Sequence, residues 1–299
     1  MAGIKELRLR IKSVGSIKQI TRAMEMVAST KLRRFQDRAV ASRPYAQEIT
    51  GLVGRLAGML GSEIEELPLF QAGKGQKTLV LLVSSDRGLC GAYNTNVFRK
   101  LEQWLQARGD AGPVEYYVYG RKGASYLTKR GREVTRFLTD PPMEKVDYRN
   151  AALTSRMLQQ SFLSGQYKDV VVFYTAFESV VKFVPTIVSF LPLTPAALGA
   201  GQKAAAGAAD VSAAGDLILE PDGPTIFNQL VPRYLEVRIY NALLEALASE
   251  YASRRFAMKN ATDAASGMQK ALKSAYNRKR QETITKELLD IVGGAEAVK

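Results

Sequence analysis

Few residues of this 299-residue chain have the types and spacing for chemistry. The run Asp86-Arg87-Gly88-Leu89-Cys90-Gly91 follows an apolar segment, where a phosphate cradle would sit. It lacks the three-glycine dinucleotide fingerprint, and a tight strand-to-helix turn with glycines at positive φ accounts for it better. Gly73-Lys74-Gly75 has Pro68 where the upstream glycine of a phosphate loop belongs, and no Ser or Thr after the lysine. Cys90 stands where a helix dipole could lower a thiol pKa, although a cysteine under a turn more often fills space. Asp86 and Arg87 could form half of an acid/base pair, but no second carboxylate is placed beside them, so an ion pair or turn cap is expected. The chain has no histidine and one cysteine, which removes imidazole bases, Ser-His and Cys-His pairs, intrachain disulfides and His/Cys metal sites. No catalytic, cofactor-binding or metal-ligating residue is expected.

The charge is more informative. There are 42 Lys/Arg against 29 Asp/Glu, a net charge of +13. Residues 1–50 hold 11 basic and 4 acidic side chains, and residues 251–299 hold 10 and 5, so nearly all the surplus lies in the two ends. Basic ends call for an acidic partner such as nucleic acid, anionic lipid or an acidic protein surface. The start, from Met1 to Glu6, has no apolar signal core, and Val180 to Leu193 is too short and too interrupted to span a bilayer. The expectation is a soluble, cytosolic chain without a targeting peptide.

What would position these residues is a pair of long helices around an α/β segment. Ile4, Leu7, Ile11, Val14, Ile17, Ile20, Met24 and Val27 step by threes and fours, a heptad seam with a local stammer. Leu32, Phe35 and Ala39 continue it, Pro44 should kink or interrupt it, and the pattern resumes from Ile49 to Leu60. At 1.5 Å per residue such an element is roughly 80 Å long and needs a partner helix. The partner is predicted from Pro232, in a first helical turn, to Val292, with Gly293-Gly294 as its stop; its stripe runs through Tyr251, Met258, Ala265, Met268, Leu272, Ile284, Leu288 and Ile291. Between Arg254 and Lys279 this stripe is mostly small or flexible. Two matched helices at opposite ends of a chain most simply form an antiparallel coiled coil.

Between them, Thr78–Ser85, Val114–Tyr119, Asp169–Ala176 and Val180–Phe190 read as strands, and 95–107, 121–129 and 148–163 as helices. Alternating strands and helices indicate a largely parallel sheet covered on both faces, with Pro185 placing the last strand at an edge or a bulge. The Ala/Gly-rich stretch from Pro195 to Gly215 reads as a flexible surface loop. The expected organisation is an N-terminal helix (1–60), a Rossmann-like α/β domain (75–194), a flexible loop (195–224) and a C-terminal helix (225–299). On the residues alone this is a rigid connector with an acidic partner.

Four runs carry a resemblance: Thr21–Ser29 (TRAMEMVAS), Ser84–Gly91 (SSDRGLCG), Ala257–Lys259 with Ala261–Asp263, and Asn277–Leu288 (NRKRQETITKEL). Together with the helix–domain–helix layout, they resemble the γ subunit family of F-type ATP synthases along essentially the whole chain. The resemblance implies a non-catalytic rotor shaft without cofactor, one copy per complex. Its terminal helices turn inside the ring of three α and three β subunits, and its α/β domain joins the ε subunit and the membrane c-ring. Proton-driven rotation of that c-ring then cycles the β sites. The implied location is the cytoplasmic face of a bacterial plasma membrane, as a peripheral part of the F1 sector, without membrane insertion or nucleic-acid binding.

By the same resemblance Met24, Arg254, Gln281, Thr285 and Glu287 contact and couple to the stator ring, with Arg254 and Gln281 expected to be exposed. Arg33, Arg34 and Arg38 face the acidic loop of β; a close pair at a surface-like dielectric is worth about 4 kcal/mol before screening. Leu288, Ile291 and Val292 reach an apolar sleeve at the top of the ring. Leu217, Leu219 and Glu220 meet ε and the c-ring, although Leu217 to Leu219 stand where relatives often carry tyrosines, which makes that contact more aliphatic. Cys90 is alone, so the chloroplast type of regulatory dithiol is excluded. Two rivals make other predictions: a coiled-coil nucleic-acid binder would lose affinity steeply with salt, and a nucleotide-dependent enzyme would bind nucleotide saturably by itself.

Overall fold

A computed structural model describes residues 3–109, 111–194, 198, 220 and 222–296. The apolar run after Gln76 forms β1 (Lys77–Val83), followed by α2 (Tyr93–Arg108), β2 (Val114–Tyr119), α3 (Arg121–Lys129), β3 (Val134–Leu138), α4 (Tyr148–Leu163), β4 (Tyr167–Phe177) and β5 (Phe183–Leu191), all between two long helices, α1 (Ile4–Leu60) and α5 (Gly223–Glu296). The strands form one sheet in the order β3-β2-β1-β4-β5, parallel except for β5, which runs antiparallel to β4. Pro185 lies in that last strand, at the sheet edge, where its missing N–H costs no ladder bond.

Period-2 alternation sorts the sheet residues. Val80, Leu82, Tyr116, Val118, Val171 and Phe173 share a buried cluster with Val97 and Leu101 of α2 and Leu127 of α3. On the other face the Tyr117 and Tyr119 hydroxyls meet Ser161 (3.0 Å) and Thr154 (2.6 Å) of α4. Strand β3, absent from the sequence reading, is an edge strand with exposed central residues, so no apolar run announces it.

The described chain divides into two compact units, Lys31–Ala252 and Met1–Thr30 with Ser253–Lys299. Within the first, α5 is buried almost all round: Leu235, Val237, Ile239, Leu243, Leu244 and Leu247 are all covered, and Ser249 donates to the Thr175 carbonyl of β4 (3.1 Å). Antiparallel pairing with α1 is marked by Ser42 donating to Asn241 (3.2 Å). Pro44 lies inside α1 without ending it, because the carbonyl it leaves unbonded belongs to solvent-exposed Val40, where water can serve. Likewise α5 begins before Pro232: Asp222 accepts the Thr225 N–H (2.8 Å) as an N-cap, and Pro224 sits in the first turn. The helix continues through Gly293-Gly294 to Glu296. The 195–224 stretch lies mostly outside the described residues.

The second unit corrects the seam. Burial along α1 follows Ile4, Leu7, Ile11, Val14, Lys18, Thr21, Glu25 and Ala28, an unbroken heptad without a stammer. Ile17, Ile20 and Val27 instead point outward, 51%, 58% and 55% exposed. The facing stripe of α5 is Met258, Thr262, Ala265, Gln269, Leu272, Tyr276, Lys279 and Thr283, with Met268 outside it. Thr262 donates to the Thr21 hydroxyl (2.8 Å), which donates to the Lys18 carbonyl (3.1 Å), so polar side chains on the seam satisfy one another. A Cβ added at Gly15 would come within 3.2 Å of Gln269 Nε2. With Thr21 opposite Thr262 and Gly15 opposite Gln269, Ile4 falls abreast of about residue 280, and the end of α5 extends beyond α1.

Candidate functional site

The turn after β1, where a phosphate cradle would sit, is filled by its own side chains. Ser84 Oγ donates toward the Tyr119 and Gly120 carbonyls (2.9 and 3.1 Å) and accepts the Gly123 N–H (2.8 Å). Asp86 accepts the backbone N–H groups of Arg121 and Met143 (both 3.2 Å), which makes it a loop organiser. Cys90 is buried, with Asn94 donating to its sulfur at 3.3 Å, as a space-filling cysteine should be. Of the two glycines in the turn, Gly91 has the positive φ that the turn reading expected (+58°) and Gly88 does not; the non-glycine Leu89 takes one instead (+61°). The Gly73 and Gly75 pair has a packing cause: a Cβ at either would lie within 2.2 Å of the backbone at Gln166–Tyr167.

Charged groups inside the sheet-bearing unit are locked in place. Glu236, buried on α5, is bound by Arg156 Nε (2.9 Å), Arg233 (3.2 Å) and the Tyr148 hydroxyl (3.0 Å), tying α4 to α5. Burial, with Glu236 beside it, pushes the Tyr148 phenol up to about 12. Glu245 lines a groove of about 310 Å³ with Gln36, Val40, Arg43 and Phe177; burial raises its carboxyl above the ordinary range, only partly offset by the Phe177 N–H and the charge of Arg43. Of the residues predicted to face an acidic loop, Arg33 and Arg34 are exposed and Arg38 is half-buried.

In the helical-pair unit, Met24 is half-buried, beside the seam. Arg254, expected at the surface, is only 7% exposed, because it lies where α5 is still covered all round. Gln281 and Thr285 are exposed one turn apart and line a shallow depression with Arg278, Glu282, Lys286 and Leu289. Glu287 is exposed on a different side of the helix. Leu288, Ile291 and Val292 are exposed on the stretch that extends beyond α1. Glu220 is exposed, whereas Leu217 and Leu219 lie outside the described residues.

Two features escaped the sequence reading. One is a basic groove of about 530 Å³ whose lining includes Lys12, Lys18, Arg22 and Gln269. The other is the outward set of Leu9, Ile17, Ile20, Met26 and Val27, which leaves large apolar side chains of α1 uncovered, away from the seam. Apolar residues in such numbers on an exposed helix face mark a surface built to be covered. The signal was present in the heptad: a strict seven-residue repeat excludes Ile17, Ile20 and Val27 from the seam. Among the described residues, no group of His, Cys, Asp and Glu is arranged to hold a metal ion.

The comparisons agree with this architecture. A family model described as ATP synthase matches residues 3–298. The ATP synthase γ chain of Chloroherpeton thalassium is 40% identical across all of this chain and 99% of its own length, and those of Dehalococcoides mccartyi strain CBDB1 and Geotalea uraniireducens are 37% and 36% identical over the full length of both chains. Among solved structures, a chain of the Euglena gracilis mitochondrial ATP synthase (OSCP/F1/c-ring, rotational state 3) has the same fold, with a TM-score of 0.68, 21% identity, and coverage of 99% of this chain and 94% of that one. A chain of the central stalk and c-ring of the Tetrahymena thermophila enzyme gives 0.56 and 24%, over 81% and 99%. With a family model matching residues 3–298 and full-length γ chains 36–40% identical, the chain belongs to the ATP synthase γ chain family.

Proposed function

We propose that this chain is the central shaft of a rotary ATP synthase, a part that carries torque and does no chemistry of its own. The observation that carries the reading is the outer face of the helical-pair unit, where Ile17, Ile20 and Val27 lie exposed, with exposed Lys12 and Arg22 on the same helix. Such a face is unfavourable in water alone and suits enclosure by a ring with acidic and apolar surfaces. The proposed ring is three α and three β subunits around one copy of this chain. The sheet-bearing unit, with Glu220 and the neighbouring Leu217 and Leu219, meets ε and the c-ring. Among the described residues no helix is long and apolar enough to cross a membrane; the place proposed for the chain is peripheral, at the cytoplasmic face, as part of the F1 sector.

Within that reading Gln281, Thr285 and Glu287 touch the ring directly, and Leu288, Ile291 and Val292 seat in its apolar sleeve. Met24, half-buried beside the seam, keeps part of its side chain open to the ring. Arg254, being buried, acts by holding α5 in place, not by reaching the ring. Arg33, Arg34 and Arg38 attract the acidic loop of β. A rotor must leave each angle as readily as it enters it, and solvent-screened cations spread over a face bind without trapping. Co-expression with α and β tests the proposal. A complex of three α, three β and one copy of this chain should hydrolyse ATP far faster than α and β alone. Hydrolysis by the isolated chain, or its failure to join the complex, would refute it.

A further inference from the structure

The link between β3 and α4 carries Glu144 in a short 3-10 turn, Met143–Lys145, pinned by Asp86 at the Met143 N–H and by burial of Met143 and Val146. The two carboxylate oxygens of Glu144 go to different helices: Oε2 accepts Lys31 Nζ of α1, and Oε1 accepts the Tyr251 hydroxyl of α5. Lys31 also donates to the Tyr251 oxygen (3.3 Å) and lies 5.3 Å from the centre of that ring. Phe35, one turn along α1, stacks on the ring at 5.5 Å and 24°, and both aromatics are buried. Burial would raise the Glu144 carboxyl, but the bonds from Lys31 and Tyr251 and the charges of Lys31 and Arg87 hold it below the ordinary range. All these groups belong to the same compact unit.

We propose that Glu144 is the key that locks α1 and α5 to the sheet domain, so that rotation imposed on the domain is delivered to both helices together. The inference rests on the shaft reading and deepens it. Twisting a two-helix pair makes the helices roll and slide past each other, and seam packing alone resists this weakly where side chains are few and flexible. One carboxylate bonded to both helices opposes that roll, and charge-assisted bonds are roughly twice as strong as neutral ones. Glu144, Lys31 and Tyr251 are therefore positioning residues for energy coupling.

The test uses the complete membrane enzyme beside its soluble complex of α, β and this chain. Glu144→Gln keeps the shape but cannot accept from both donors. It should lower proton pumping per ATP hydrolysed at least about threefold, while ATP hydrolysis by the soluble complex, whose shaft drives no load, stays within about twofold. The exchanged pair Lys31→Glu with Glu144→Lys should recover at least about half of the lost pumping, the sign of a direct coupling. Where Glu144→Gln fails to accumulate, Lys31→Met is read in its place with the same expected loss. Unchanged pumping per ATP in these variants would overturn the inference and leave the shaft reading intact. A wild-type chain that does not activate α and β would instead overturn the shaft reading itself.

Discussion

Replacing Gly120 by alanine should cost about 3–5 kcal/mol of stability, a large share of what a domain has. Gly120 joins β2 to α3 at φ +90°, and an added Cβ would lie 2.1 Å from the Ser84 carbonyl oxygen and 2.6 Å from its hydroxyl. Holding a non-glycine residue at such a φ costs of order 1–3 kcal/mol. The carbonyl belongs to backbone and cannot swing aside. Relief therefore requires the ends of β1 and β2 to part, weakening the bond from Ser84 N to Tyr119 O (2.9 Å) and the hydroxyl bonds of Ser84, at about 1 kcal/mol each. Gly131 is the matched control: its φ is +70°, but a Cβ there meets nothing within 4 Å, so Gly131→Ala should cost only about 1 kcal/mol. Urea unfolding of the purified chain, followed by fluorescence, measures both. Trp104 is the only tryptophan and packs edge-on against Phe173, 5.3 Å away in the sheet, so it reports the right unit. Two variants within about 1 kcal/mol of each other would refute the steric argument.

Other expectations concern charge. Because burial raises the Glu245 carboxyl in the folded chain, the native state holds its proton at a pH where the unfolded state has lost it, and stability from this group falls as pH rises through that window. Glu245→Gln should therefore raise the melting temperature at neutral pH, with the gain vanishing below the ordinary carboxylate range; a gain independent of pH would refute the assignment. Changing Arg33, Arg34 and Arg38 together to glutamine should weaken assembly with α and β or lower coupled ATP synthesis, and should flatten the salt dependence of assembly. Unchanged assembly, coupling and salt dependence would remove these arginines from the interface.

The sheet domain was legible because its signals are local. Asp147 caps α4, with Asn150 closing the capping box, and the helix Tyr148–Leu163 falls where the sequence pattern placed it. Pro185 limits the last strand to an edge or a bulge, and β5 lies at the edge. The coiled-coil seam was misread for a physical reason. Assigning Ile17, Ile20 and Val27 inward assumes that apolar residues serve the chain's own core, whereas here they face outward and Lys18 and Thr21 take the seam. Arg254 was misjudged the other way, because α5 is covered on every side at that point. Glu144 gave no signal, since its partners stand 113 and 107 residues away in sequence and only the fold unites them.

The most direct measurement of the central claim is to watch the chain turn. Cys90 is buried and is the only cysteine, so Val181→Cys, at a site 75% exposed, gives one reactive attachment point on the β4–β5 hairpin. A bead fixed there, on a complex whose α and β subunits are held to a surface, should rotate in one direction when ATP is added, in thirds of a turn set by the three β sites. A complex that hydrolyses ATP at full rate while the bead stays still would contradict the account.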